Sequence, residues 1–248
     1  MKHKDISKLA LAAVFWLFSC TSVERDNCLD SGGINYMKCQ FSLSSSSVPN
    51  SSSSSVQTGI IYGDPVVYDG ETYKTVVIGT QTWMARNLNY NGSGKCYPNA
   101  DCDAYGRLYK WAAAMALPSS CNSSTCEADL KHKGICPDDW HIPSDAEWAT
   151  LTRFVGQSAG TKLKANSSWW WTNTGTDIYG FAALPGGQGM IDERGDNLSN
   201  VARSGSWWSA TESGTDKAYY RSMNYDSEVV GEGRENKSYS LSVRCVKD

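Results

Sequence analysis

The sequence predicts an α+β fold: one loop-rich, disulfide-stapled domain with two helices and short antiparallel strands. Three observations predict it. β-Branched and aromatic runs flank a Gly-led pair near the start of the domain, a helix-capping signature stands mid-chain, and the cysteines fall into an even set once one is set aside.

The elements follow in order. Tyr73 to Ile78 is β-branched and aromatic, Gly79-Thr80 turns, and Gln81 to Ala85 continues, which reads as a hairpin. Tyr105 to Leu117 is rich in Ala, Leu and Met and reads as a helix ending before Pro118. Ser144-Asp145-Ala146-Glu147 is a capping box after Pro143. Trp148, Leu151 and Val155 then share one helical face, and Gly156 closes the helix. Beyond Gly160 the chain is loop-rich. Strand-like runs return at Ser206 to Thr211, Lys217 to Met223 and Leu241 to Val246. Strands, two helices, a Gly-rich stretch and late strands make an α+β domain over residues 58–248, roughly 190 residues and enough for a core.

The N-terminus reads differently. Lys2, Lys4 and Lys8 precede ten apolar residues, Leu9 to Phe18. A bilayer span needs roughly 20, so basic flank and short apolar core read as a secretory signal, residues 1–19. Leu17-Phe18-Ser19-Cys20 resembles the bacterial lipobox, in which the Cys is acylated and becomes the new N-terminus. An ordinary signal cleaved elsewhere, removing Cys20, is the alternative. The expectation is an exported lipoprotein held to the membrane through Cys20, in the outer membrane or at the cell surface, since several acyl chains anchor stably where one does not.

Of nine cysteines, Cys20 is set aside, and an even set remains: Cys28, Cys39, Cys96, Cys102, Cys121, Cys126, Cys136 and Cys245. An even set in an exported chain reads as disulfides, with on the order of a hundred pairings open. Proximity suggests Cys28–Cys39, Cys96–Cys102 and Cys121–Cys126, which leaves Cys136 for Cys245. That last bond closes about 110 residues, a constraint of about 4–5 kcal/mol on the chain-entropy account. Structural zinc is disfavoured, because no C-x2-C pair exists.

Residues 20–41 hold the small Cys28–Cys39 loop. Residues 42–57 form a Ser-rich linker, with ten Ser between positions 42 and 56. Such a stretch buries too little apolar surface to order itself. It reads as a tether spanning about 20 Å. Removing residues 1–19 takes away three Lys and one Asp, so the formal charge moves from −3 to −5. With no basic run, nucleic acid is excluded as a partner.

Several strings resemble one family: Val77-Ile78-Gly79-Thr80-Gln81-Thr82-Trp83-Met84-Ala85-Arg86-Asn87-Leu88; Tyr105-Gly106-Arg107-Leu108-Tyr109-Lys110-Trp111; Cys136-Pro137-Asp138-Asp139-Trp140-His141-Ile142-Pro143-Ser144; Gly175 to Gly187; Trp208-Ser209-Ala210-Thr211-Glu212; and Ser242-Val243-Arg244-Cys245-Val246. Together, over residues 62–248, they resemble the Fibrobacter succinogenes major paralogous domain, a family of largely exported bacterial proteins that often carries a lipoprotein signal and a Ser-rich linker. Trp140 to Ser144 leading into Glu147-Trp148 is also similar to a string of formylglycine-generating-enzyme-like domains. That resemblance implies a C-type-lectin-like fold, and fold alone does not give function. The two late reduced cysteines by which such enzymes bind copper are absent, since Cys245 is the only Cys after Cys136.

Chemistry is sparsely supplied. His132 lies between two lysines and reads as solvated, while His141 sits in the capping turn and reads as structural. The acids Asp138-Asp139, Asp192-Glu193 and Glu212 show no pairing that glycoside hydrolysis would need. Asn99, Asp101 and Asp103 begin like an EF-hand loop, but Ala104 and Lys110 stand where Gly and Glu belong. No enzyme activity, cofactor or metal is assigned. Trp83, Trp111, Trp140, Trp148, Trp207 and Trp208 read as core, and Arg86, Arg107 and Arg244 as structural donors.

Binding is the better expectation. Trp169, Trp170 and Trp171 are consecutive, and in a strand they alternate faces, so at least one is available to stack on a sugar ring or grip a protein. Burial of two with one incidental is the alternative. Asp192-Glu193-Arg194-Gly195-Asp196-Asn197 is a polar, Gly-containing segment in the region where lectin-like folds place a variable loop. Asp192, Glu193, Asp196 and Asn197 are therefore candidate contacts, with a solvated turn as the alternative. The partner class is a polysaccharide or another envelope component. A structural, protein-binding role in the outer membrane is the second expectation.

Overall fold

Two tight turns set the first three strands. β1 (Tyr62–Tyr68) and β2 (Glu71–Ile78) are joined by Asp69 and Gly70, both with positive φ, which is the two-residue turn whose twist matches a hairpin. β2 returns through Gly79 (φ 64°) and Thr80 into β3 (Gln81–Met84), as the sequence predicts. The computed structural model of the protein describes residues 59–96, 102–128, 131–172, 174–192 and 195–247, with only the backbone described at 191, 192, 195 and 196. The signal-like segment, Cys20, the Cys28–Cys39 loop and the Ser-rich linker lie outside the described residues.

The helix expected over Tyr105–Leu117 is not formed. The chain instead makes α1 (Cys102–Tyr105), β4 (Leu108–Lys110) and α2 (Trp111–Ala114). Gly106 breaks the run at φ 75°, where a Cβ would stand 2.8 Å from the Leu88 carbonyl oxygen. The Ala-rich composition is overridden by pairing, because Leu108–Lys110 gains ladder partners in a late strand. β5 (Trp140–His141) follows, then α3 (Asp145–Val155) and α4 (Ala159–Leu163). The capping box at α3 is complete, and Gly156 (φ 73°) is its C-cap. Four α-helices are thus present among the described residues where two were expected.

The late strands are β6 (Gln188–Asp192), β7 (Gly195–Ser199), β8 (Ser204–Glu212), β9 (Lys217–Asn224), β10 (Gly231–Asn236), β11 (Tyr239–Ser242) and β12 (Val246–Lys247). They form two sheets with the earlier strands. A five-stranded sheet runs β1-β2-β3-β12-β5, and a seven-stranded sheet runs β10-β9-β8-β11-β6-β7 with β4 also on β11. Leu241 to Val246, expected as one strand, is divided between these sheets. Ser242 ends β11 in one, and Val246 pairs with Trp83 and His141 in the other.

Between them lie two apolar clusters. One gathers Tyr73, Trp111, Trp140, Trp208 and the Cys136–Cys245 pair; the other gathers Trp83, Trp148, Trp170, Phe181 and Trp207. The disulfides Cys96–Cys102, Cys121–Cys126 and Cys136–Cys245 form as proximity suggests, the last with Cα atoms 6.0 Å apart. The result is a small, loop-rich α+β domain with disulfides.

The interior is also polar. Arg244 is fully buried and donates to the carbonyl oxygens of Met84, Phe181 and Ala182 and to Asn87 Oδ1. Asn87 Oδ1 accepts from Trp207 Nε1 as well, and its amide donates to the Tyr105 carbonyl. Burial lowers the Arg244 pKa to about 9, with Asp177 opposing that shift. Asp177 is pushed up to about 6 by burial, although the Ala182 N–H, which donates to it, pulls the other way. A buried ion held by this many hydrogen bonds fixes one arrangement of four chain segments.

Candidate functional site

The β8–β9 ladder changes character along its length. Trp207 pairs with Arg221 and Trp208 with Tyr220, whereas Ser206 pairs with Ser222 and Ser204 with Asn224. Side chains alternate across a strand, so Ser204, Ser206, Ser222, Asn224 and Tyr220 share one face. β10 lies next to it with Gly231 opposite Ser222 and Gly233 opposite Tyr220. A Cβ at Gly231 would stand 2.8 Å from the Ser222 hydroxyl, and one at Gly233 would stand 2.6 Å from the Tyr220 ring. The two glycines therefore keep this face low and let both side chains lie across the strand.

The resulting cavity, of about 300 Å³, is lined by these five residues with Gln188, Asn200, Arg203, Tyr225 and Asp226. Its lining is rich in hydroxyls and amides. Ser206 is buried and donates to Gln188 Oε1 at 2.8 Å, so β6 is tied to the floor.

One member of the tryptophan triplet meets this lining, through Arg203. The triplet lies in a turn rather than a strand, yet the burial alternates: Trp169 is 46% exposed, Trp170 is 2% and Trp171 is 63%. Trp170 belongs to the core, with Nε1 donating to the Ala183 carbonyl and the Lys164 ammonium 5.3 Å from its ring centre. It is not a surface contact. Trp169 packs edge-on against Tyr105 at 5.2 Å. Trp171 is the exposed ring that stacks on the cavity-lining Arg203. The Trp171 backbone N–H donates to the Ala202 carbonyl, and the Arg203 guanidinium lies 4.4 Å from the Trp171 ring centre and 5.9 Å from that of Tyr225.

The same corner is pinned from beneath. Lys164 donates to the Asn224 and Ser227 carbonyls and to Thr174, and Thr172 and Thr174 donate to the Tyr225 carbonyl. Burial lowers the Lys164 pKa, and Asp226 and Glu228 oppose that shift.

Of the segment 192–197, Asp192 ends β6 and residues 195–197 open β7, with Asp192 opposite Gly195 and Asn197 opposite Met190. Asn197 is exposed; the side chains of Asp192, Glu193 and Asp196 lie outside the described residues. The base of the β6–β7 pair, Gln188 and Asn200, reaches the cavity. Sequence reasoning missed these two and the whole Ser/Asn/Tyr ladder.

His132, His141, Glu212 and the motif arginines Arg86 and Arg107 make structural contacts. His132 is half-buried rather than solvated, with Nε2 2.6 Å from the Met115 carbonyl. His141 Nε2 meets Glu147, whose other oxygen caps α3 through Ser144. Glu212 pairs with the buried Lys237 and accepts from the Cys126 and Glu127 N–H groups. Arg86 meets Glu71 and the Asp103 carbonyl, and Arg107 meets Asn91. Among the described residues no cluster of three His, Cys, Asp or Glu is placed to hold a metal ion.

Comparison with known families places this architecture. The family model described as the Fibrobacter succinogenes major domain matches residues 76–247, well over half of the chain. The chain belongs to that family. Neither the curated proteins nor the solved structures searched contain a match to it.

Proposed function

We propose that this protein is a non-catalytic binding module of the cell envelope that recognises polysaccharide at the cavity beside Trp171. The observation carrying this reading is an exposed indole against Arg203, which itself lines a pocket of hydroxyls and amides. Sugars present apolar ring faces and hydroxyl edges, and a rigid aromatic beside fixed polar groups complements both. The structural use of His141, Glu147 and Glu212 favours binding over turnover. The lipobox-like Leu17 to Cys20 and the Ser-rich linker support a lipid-anchored location, in the outer membrane or at the cell surface, with the linker as spacer. The capped α3 after Trp140–Ser144 and the closing strand at Val246 support a C-type-lectin-like fold.

Residues 56–248 hold both apolar clusters and three disulfides as one unit. That unit, produced oxidised, is suited to a polysaccharide array. Retention of at least one polymer by the native unit, lost in Trp171→Ala, is expected. Failure to retain any polymer, together with specific crosslinks to envelope proteins in cells, would replace the reading with a protein-interaction role. Acylation is tested separately: Cys20→Ser is expected to abolish palmitate labelling of the full chain.

A further inference from the structure

We infer that Arg203 makes this pocket selective for sugars bearing a carboxylate, the uronic acids. The inference rests on the pocket being a glycan site and adds its ligand class. Arg203 is exposed, and its guanidinium lies between the faces of Trp171 and Tyr225. No carboxylate of the described residues stands within ion-pair distance of it, in contrast to Arg86 and Arg221, which are paired. A stacked guanidinium spends its faces on the rings and keeps its N–H edge for a ligand. That edge is a planar fork matching a carboxylate in two parallel hydrogen bonds.

The rest of the pocket suits the remainder of such a sugar. Ser204, Ser222 and Asn224 on the ladder, with Asn200 beside them in the lining, offer donors and acceptors for hydroxyls. Asp226 accepts hydroxyl protons. Its charge, which disfavours an anion, is countered by Lys164, whose ammonium bonds the Asn224 and Ser227 carbonyls on either side of it. A uronic acid supplies both halves: an anionic edge for Arg203 and hydroxyls for the ladder. A neutral hexose leaves the fork to water.

The test uses residues 56–248 and three polymers, built of glucuronate, galacturonate and mannuronate, each beside its carboxyl-reduced neutral counterpart. At least one acidic polymer is expected to bind roughly tenfold more tightly than its reduced partner. That ratio should shrink as sodium chloride is raised, because the extra contact is ionic. Arg203→Lys keeps the charge near Trp171 but loses the fork. It should lose most of the preference for the acidic polymer over its reduced partner, whatever the change in overall affinity. Equal or tighter binding of the reduced polymers overturns the uronic-acid assignment and leaves the glycan site standing. Binding of none of the six overturns both. An acid preference that survives in Arg203→Lys and Arg203→Ala overturns the role of Arg203.

Discussion

The two ends of the regular Ser204–Trp208 stretch of the β8–β9 ladder share one register and serve opposite purposes. At Trp207 and Trp208 the ladder carries large side chains whose N–H groups are satisfied inside the fold, by Asn87 Oδ1 and the Tyr109 carbonyl. At Ser204, Ser206, Ser222 and Asn224 it carries small polar groups facing a cavity. The first end is specified by volume and by a buried hydrogen-bond network, so a single change there is felt throughout the fold. At the second end Ser206 is buried and bonded to Gln188, whereas Ser222 and Asn224 are less enclosed and can vary at little structural cost. A strand can therefore be rigid for its whole length while only part of its surface is free to evolve a ligand.

Substitutions in the interior behind the closed end, and beside the open end, break this contrast most directly. Arg244→Met strands the carbonyl oxygens of Met84 and Phe181 and removes the positive charge beside Asp177. It should cost about 3–5 kcal/mol in urea unfolding, enough to prevent recovery of folded protein. Replacing both Cys136 and Cys245 by Ser should cost about 2–5 kcal/mol, seen as a lower urea midpoint under non-reducing conditions. Ser144→Ala removes the cap of α3 and should cost about 1 kcal/mol by the same measurement. At the open end, Trp171→Ala should change stability by no more than about 0.5 kcal/mol while removing polysaccharide retention. Equal destabilisation at both ends would show that the open end is part of the core.

The contrast also predicts a pH dependence confined to the closed end. The Asp177 pKa is about 6, above its ordinary 3.8, because burial disfavours the charged form. A raised carboxyl pKa contributes stability that is fully present below the ordinary value and is lost as pH rises through about 6. Carboxyl carbon NMR should place the Asp177 midpoint near that value. The loss of thermal stability from pH 5 to 7 should flatten in Asp177→Asn. Glu147 acts in the opposite direction at lower pH. Burial alone would raise it, but hydrogen bonds from His141 and Ser144 together hold it below its ordinary value. Its contribution is present above the ordinary carboxylate range and is lost as pH falls through the depressed pKa.

Local signals made the closed end legible in the sequence. The hairpin at Gly79-Thr80, the capping box at Ser144 and the core tryptophans are carried by neighbouring residues whose chemistry has one local solution. Cysteine proximity and parity pointed to the three disulfides. The segment 105–117 misled because composition favoured a helix while Leu108–Lys110 found a better partner in β11, more than a hundred residues away. The open end was half legible. Three consecutive tryptophans announced an exposed ring, but the turn decided which one it was. Ser204, Ser222, Asn224 and Gln188 carry no pattern of their own, and only strand pairing makes them neighbours. Gly231 and Gly233 lie outside every run singled out in the sequence, and they act as the spacers that keep the pocket open.

The place of β12 has a consequence for how the chain is made. Val246 sits between β3 and β5, inside its sheet rather than at the edge, and Cys245 closes a bond spanning 109 residues. The ribosome delivers this keystone after both strands that flank it. Until then that sheet lacks a member between two strands already made, and Cys136 lacks its partner. Closure of the sheet thus waits until Val246 has been made, and a domain cut before Cys245 loses both the staple and the strand that joins β3 to β5. A domain shortened there is expected to be open to proteases.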